Sequence, residues 1–155
     1  MTTREQRIAK FNANRPVYQA VPKAESLART AKDRKLCASL EEAIKRSGLK
    51  DGMTVSFHHA FRAGDFIVNM VMDKIAEMGF KNLTLASSSL IDSHHPIINH
   101  IKNGVVTKIY SSGLRGELAE QISRGLLDEP VNIHSHGGRV HLVKSGELKI
   151  DVAFL

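Results

Sequence analysis

Apolar residues recur at three- and four-residue spacing through five stretches of the chain, and between those stretches they gather into short runs. At 36–47, Leu36, Leu40 and Ile44 stand four apart and Gly48 follows, the pattern of a helix closed by a glycine. Residues 65–78 place Ile67, Val71, Ile75 and Met78 on one stripe, with Asp73 and Glu77 off it and Gly79 as the stop. Met70, Met72 and Met78 accordingly read as packing residues. Shorter helices are predicted at 96–102, through Ile97, Ile98 and Ile101, and at 117–127, through Leu118, Ile122 and Leu126. A fifth spans 138–144 and closes on Ser145-Gly146. Ser39-x-x-Glu42 has the form of a capping box, but it lies inside the first stripe and reads as an exposed turn.

The intervening runs, at 55–57, 83–86, 108–110, 131–133 and 150–155, have the length and composition of strands. Alternation of helix and strand from residue 36 onward predicts an α/β fold: an open, mainly parallel sheet with right-handed crossovers and helices on both faces. Four of these strands run straight into polar clusters: His58-His59-Ala60-Phe61-Arg62, Ser87-Ser88-Ser89, Ser111-Ser112-Gly113-Leu114-Arg115 and His134-Ser135-His136-Gly137-Gly138-Arg139. Carboxyl ends of parallel strands share one edge of a sheet, so the clusters converge there and mark the predicted site.

Those residue types suit an anion and a developing oxyanion. Backbone N–H groups before a helix, with the positive end of its dipole, attract carboxylate or phosphate, and glycine permits close approach. Arg62, Arg115 and Arg139 offer forks for bidentate carboxylate pairing. Ser87, Ser88, Ser89, Ser112, Gly113, Ser135, His136, Gly137 and Gly138 are candidate contacts to the rest of a substrate. His58 and His59 are candidate donors to an acyl oxygen, or proton carriers. A tricarboxylate or a thioester with an acidic tail fits this set.

Charge changes the picture only at one end. Residues 1–35 hold nine Lys/Arg against three acids, a balance of +6, whereas 36–155 hold thirteen of each sign. The excess belongs to a basic N-terminal arm, in which Arg15-Pro16-Val17-Tyr18-Gln19-Ala20-Val21-Pro22-Lys23 reads as extended and no pair of periodic helices is visible. Such an arm can meet an acidic partner, such as an acyl carrier protein or nucleic acid, or remain a solvated tail, or pack on a neighbouring subunit.

At 155 residues the chain suits one layered domain. No apolar run nears the ~20 residues of a membrane span and no secretory signal is visible, so a cytoplasmic location is expected. The single cysteine, Cys37, reads as a small core residue. Eight histidines include His58-His59, His94-His95 and His134-x-His136, but no His-Glu-x-x-His or cysteine pair accompanies them and no metal site is expected. His94, His95, His100 and His141 read as solvated. Gly-x-Gly-x-x-Gly, the P-loop pattern and Gly-x-Ser-x-Gly are absent, which disfavours dinucleotide, P-loop and serine-hydrolase chemistry.

The stretch Asp51-Gly52-Met53-Thr54-Val55-Ser56-Phe57, followed by His58-His59-Ala60 and Gly64, resembles the opening strand and loop of coenzyme A transferases. His58 and His59 replace the two glycines, and Ala60 the Phe, of the commoner members. Over 49–155 the chain is similar, more specifically, to the α-subunit family of bacterial citrate lyases, through the runs 54–62, 82–89, 111–115 and 133–139. The similarity reaches only the N-terminal portion of that family's longer chain. An apolar strand stopping at Leu155 leads to the same expectation, that residues 36–155 are a truncated coenzyme A transferase-like domain.

The resemblance implies an acyl exchange: an acetyl thioester and citrate give a citryl thioester and acetate, ahead of cleavage to oxaloacetate. It implies as partners a β subunit and an acyl carrier (γ) subunit in a multisubunit complex, with neither nucleic acid nor a membrane among them. The coenzyme A-derived prosthetic group belongs to the carrier, and no cofactor is expected on this chain itself. The commoner transferases use a Glu nucleophile on their other half. Nothing in 1–155 matches it, and the role does not pass to Glu117 or Glu120. The alternatives are a non-catalytic effector-binding domain of a regulator, or an inactive fragment.

Overall fold

The computed structural model describes residues 3–13, 36–58 and 66–155, and the chain divides into two units, Met1–Lys35 and Leu36–Leu155. In the first unit the described residues form a helix, α1 (Arg4–Ala13), which sequence periodicity does not predict. Its start is a reciprocal cap: the Gln6 N–H donates to Thr3 Oγ1 (3.3 Å) and the Thr3 N–H to Gln6 Oε1 (2.9 Å). The segment 15–23 expected to be extended lies outside the described residues.

The second unit alternates as expected: α2 (Leu40–Ser47), β1 (Thr54–Phe57), α3 (Ile67–Glu77), β2 (Leu83–Ser87), α4 (Ile97–Lys102), β3 (Val106–Ser111), α5 (Gly116–Ser123), β4 (Asn132–Ile133), α6 (His136–Ser145) and β5 (Val152–Phe154). A short 3-10 turn, Asp92–His94, precedes α4. All strand pairs are parallel, in the order β4-β3-β2-β1-β5. The first four strands therefore step in one direction across the sheet, and the chain then returns past β1 to place β5. A right-handed crossover that travels the opposite way must pass on the opposite face. The helix α6 accordingly packs against Ala86 and Tyr110 through Leu142, apart from the larger core.

That larger core lies on the other face. Strand residues of one parity, Val55, Phe57, Leu83, Leu85 and Ile109, meet Ile44, Val68, Val71, Met72, Ile75, Ile97 and Leu118 from α2 to α5. The opposite parity carries Ser56, Ala86 and Tyr110, smaller or more polar groups that suit a face covered by a single helix.

Local chemistry moves several boundaries. The helix α2 starts at Leu40, not 36, because Ser39 is its N-cap, its Oγ accepting the Glu42 N–H at 3.1 Å. Leu36 is thus left outside and is 91% exposed, and Cys37 is half-buried beside Arg46 rather than in the core. In α3 the buried stripe is Val68, Val71, Met72 and Ile75, while Ile67 and Met70 face outward, so the stripe keeps Val71 and Ile75 and widens toward Val68 and Met72. The helix α5 ends at Ser123, with Leu126 and Leu127 packing from the following turn. His94 and His100 are buried, not solvated: His94 Nδ1 accepts the Ile91 N–H at 3.0 Å, and His100 Nε2 lies 2.9 Å from Asp73 Oδ1. Among the described residues no helix is long and apolar enough to cross a membrane.

The start of β1 is tied to the approach to β5 by Asp151, whose Oδ2 accepts the Thr54 N–H at 2.9 Å while Lys149 Nζ lies 2.8 Å from Oδ1. The Lys149 hydrogen bond, followed by that from the Thr54 backbone, holds the Asp151 carboxyl below its ordinary range. A carboxylate whose folded pKa is depressed contributes stability above its unfolded value of 3.8, and that contribution is lost as pH falls through the folded value. Between about pH 5 and about pH 3, the melting temperature of Asp151→Asn is therefore expected to fall less than that of the unsubstituted chain. Equal falls would show that Asp151 carries no such linkage.

Candidate functional site

The described residues of the strand-end clusters lie along the same edge, but they separate into two groups. The first fastens the edge itself. Ser87 is fully buried and its hydroxyl donates to the Ser89 carbonyl at 3.1 Å. Ser112 donates to the Ser88 carbonyl from both its N–H and its hydroxyl. Gly113 takes part through its backbone, its carbonyl accepting the Leu90 N–H (2.9 Å) and the Ser111 hydroxyl (2.8 Å). These bonds zip the β2 and β3 loops together after the ladder ends, where Leu90 and Leu114 add a further parallel bridge. Arg115 is exposed before α5, at its N-cap. The next residue, Gly116, has φ +66°, and a Cβ there would lie 2.1 Å from Asp92 Oδ1, so only glycine fits.

The second group opens a cleft of about 420 Å³ above the ends of β1 and β2. His58, one residue past β1, and Ser88, one past β2, form its floor with Arg139; His136, Val140, Val143 and Lys144 of α6 complete the lining. It adjoins β1, the strand at which the order reverses, which is where open α/β sheets leave a crevice for ligands. A second hollow, of about 520 Å³, lies between α3 and the α4 region, lined by Phe66, Met70 and Pro96 among others.

Ser135 is the N-cap of α6: its Oγ accepts the Gly138 N–H at 2.9 Å, which aims the helix start at the edge. Gly137 and Gly138 occupy the first turn, and a side chain at Gly138 would crowd Ser135 Oγ (3.2 Å) and His134 Cβ (3.3 Å). Arg139 follows on the inner side. Its Nη2 donates to Ser56 Oγ at 2.8 Å and to the Ala86 carbonyl at 3.2 Å, while Nη1 is buried with no hydrogen-bond partner among the described residues. Burial pushes this guanidinium below its ordinary range, yet arginine remains charged. No acid among the described residues neutralises it, and the cleft lining contains His58, His136, Lys144 and Arg139 but no carboxylate. A half-buried cation on two neutral acceptors, in a basic cleft, is electrostatically incomplete without an anion.

Of the residues predicted from sequence, the structure thus gathers His58, Ser88, His136 and Arg139 around one cleft, with Ser135, Gly137 and Gly138 shaping the helix start beside it. Ser87, Ser89, Ser112, Gly113 and Arg115 lie elsewhere along the edge, and His59 and Arg62 fall outside the described residues. Ser56, Val140, Val143 and Lys144 were not anticipated. The alternation of β1 carries the signal for Ser56, a polar residue between buried Val55 and Phe57.

The solved alpha subunit of citrate lyase from Streptococcus mutans, in complex with citrate, superimposes with a TM-score of 0.78 at 53% identity, over 82% of this chain and 25% of that one. The citrate lyase alpha chain of Haemophilus influenzae is 90% identical over 155 residues, and that of Escherichia coli 69% identical over 156, covering 100% and 98% of this chain. The chain spans 31% of the length of each of these two relatives. The family model described as citrate lyase, alpha subunit, matches residues 33–155. The chain belongs to the citrate lyase alpha subunit family.

Proposed function

We propose that this chain supplies the citrate-binding face of an acyl-exchange site, in which an acetyl thioester on a carrier subunit and citrate become a citryl thioester and acetate. The observation that carries the reading is Arg139, a half-buried guanidinium in a basic cleft without a carboxylate partner among the described residues. The citrate-bound relative supports the choice of anion. The family match favours this reading over an effector-binding regulator.

In the proposed reaction a citrate carboxylate oxygen attacks the acetyl carbonyl and the carrier thiolate leaves, giving a mixed anhydride. The thiolate then attacks the citryl carbonyl of that anhydride and acetate departs. The attacking group comes from the substrate, so the protein's task is positioning, charge stabilisation and exclusion of water. Arg139 holds a citrate carboxylate. His58 and His59, with backbone N–H groups beside them, receive the oxyanion. Ser88 and His136, with Ser135, Gly137 and Gly138 at the start of α6, contact the acyl group or the coenzyme A-derived arm, whose thiol belongs to the carrier (γ) subunit. A separate β subunit performs the cleavage, in the cytoplasm. The domain that does this is residues 36–155 together with the remainder of the longer protein, and 1–35 is an arm toward a partner.

The test uses the full-length protein and acetylated carrier with the cleaving subunit left out. Citrate is expected to shift the carrier's mass from acetyl to citryl and to release acetate in equal amount, with no oxaloacetate. An unchanged carrier mass, or oxaloacetate formed without the β subunit, contradicts the proposal.

A further inference from the structure

Arg139 reaches the cleft from a helix, and a long side chain on a helix has many orientations to choose from. What selects one is β1. Ser56 is 3% exposed and points to the face covered by α6, opposite to Val55 and Phe57. Its register partner on β2 is Ala86, and the two acceptors of Arg139 Nη2 are the Ser56 hydroxyl and the Ala86 carbonyl. The guanidinium therefore bridges neighbouring strands at one rung of the ladder. Because the group is planar, two bonds to one terminal nitrogen fix the plane and so the direction of the other, Nη1, which has no partner among the described residues. The small side chain at Ala86 leaves its carbonyl open to this approach.

We infer that Ser56 is a positioning residue for the anion site: it orients the Arg139 fork so that its unpartnered edge receives a substrate carboxylate. The inference rests on the reading of Arg139 as the carboxylate-holding group. Ser56 touches no reacting atom and acts through Arg139 alone. Its loss leaves the guanidinium on the Ala86 carbonyl only, free to turn, so citrate binding weakens while the acyl step keeps its rate.

The experiment is a double-substitution cycle in the full-length protein assembled with its carrier, comparing Ser56→Ala, Arg139→Ala and the pair, with KM for citrate and kcat measured separately. Ser56→Ala is expected to raise KM for citrate about fivefold to tenfold at unchanged kcat, and to add nothing in the Arg139→Ala background. Ser56→Cys, which fills the same space with a weak acceptor, is expected to behave like alanine and covers the case in which the alanine variant folds poorly. The inference is overturned if Ser56→Ala and Ser56→Cys leave KM unchanged while Arg139→Ala raises it. It is equally overturned if Ser56→Ala has the same effect in both backgrounds, since that is the mark of a role independent of Arg139. A citrate KM insensitive to Arg139→Ala overturns the underlying reading, and the inference with it.

Discussion

Arg139→Ala in the full-length protein is expected to raise the citrate concentration for half-maximal turnover by about tenfold to a hundredfold, with a melting temperature close to that of the unsubstituted protein. Losing a charge-assisted pair to a ligand carboxylate costs about 1.5–3 kcal/mol, which sets that range. Stability is expected to change little because two effects oppose. Alanine gives up the bonds to Ser56 and to the Ala86 carbonyl, but it also removes a guanidinium whose burial is uncompensated. Binding sites commonly hold such locally unfavourable groups. Arg139→Lys is expected to recover part of the citrate affinity, since an ammonium supplies charge but cannot both grip the rung and offer a planar second edge. A citrate dependence unmoved by either substitution removes Arg139 from the site.

The largest expected effect on stability is at Phe57. It is 2% exposed, and its ring stacks on that of Phe154 with centroids 5.6 Å apart and planes at 17°. The two are register partners in β1 and β5, so the contact fastens the strand laid down last to the one laid down first. Phe57→Ala combines a lost aromatic pair with a cavity in the main core, about 3–5 kcal/mol. Urea unfolding of the full-length protein checks this, as an earlier midpoint for the transition that reports on this sheet. Activity is expected to fall more than the folded fraction does, because His58 is the next residue and Ser56 the one before. A loss under about 1 kcal/mol would mean that the stack is dispensable.

Periodicity carried the architecture and misjudged which residues face inward. Parallel strands and crossover helices were legible because each strand run is bounded by polar turn residues and each helix by a glycine or a cap. The inner face of α3 was not: Ile67-Val68 and Val71-Met72 are adjacent apolar pairs, so stripes through either member fit the spacing, and only packing against the sheet turns Ile67 out and buries Val68 and Met72 beside Val71. The helix α1 escaped because its signal is a Thr3-x-x-Gln6 cap rather than an apolar stripe. His94 and His100 were read as solvated, yet buried imidazoles are satisfied by partners distant from, or turned back on, their own segment: Asp73 lies 27 residues away.

The site was legible as an edge but not as a cleft. Strand-end position identified His58, Ser88, His136 and Arg139, and it could not separate them from Ser87, Ser112 and Gly113, whose groups bind the chain's own backbone. That separation depends on α6 crossing the second face. The crossing follows from right-handed connection only once β5 is known to lie beyond β1. The alternation of β1 marks Ser56 as a polar inward residue but not its partner, which sits 83 residues later on a helix whose face the sequence does not assign.

On the proposed reading, Arg139 holds a citrate carboxylate in the cleft between α6 and the ends of β1 and β2. A structure of the full-length protein with citrate bound tests it most directly. A carboxylate oxygen is expected at about 2.7–3.0 Å from the Arg139 guanidinium, with Nη2 still on Ser56 and the Ala86 carbonyl. Citrate bound elsewhere, or Nη1 of Arg139 occupied instead by an acidic side chain from the rest of the protein, would contradict it.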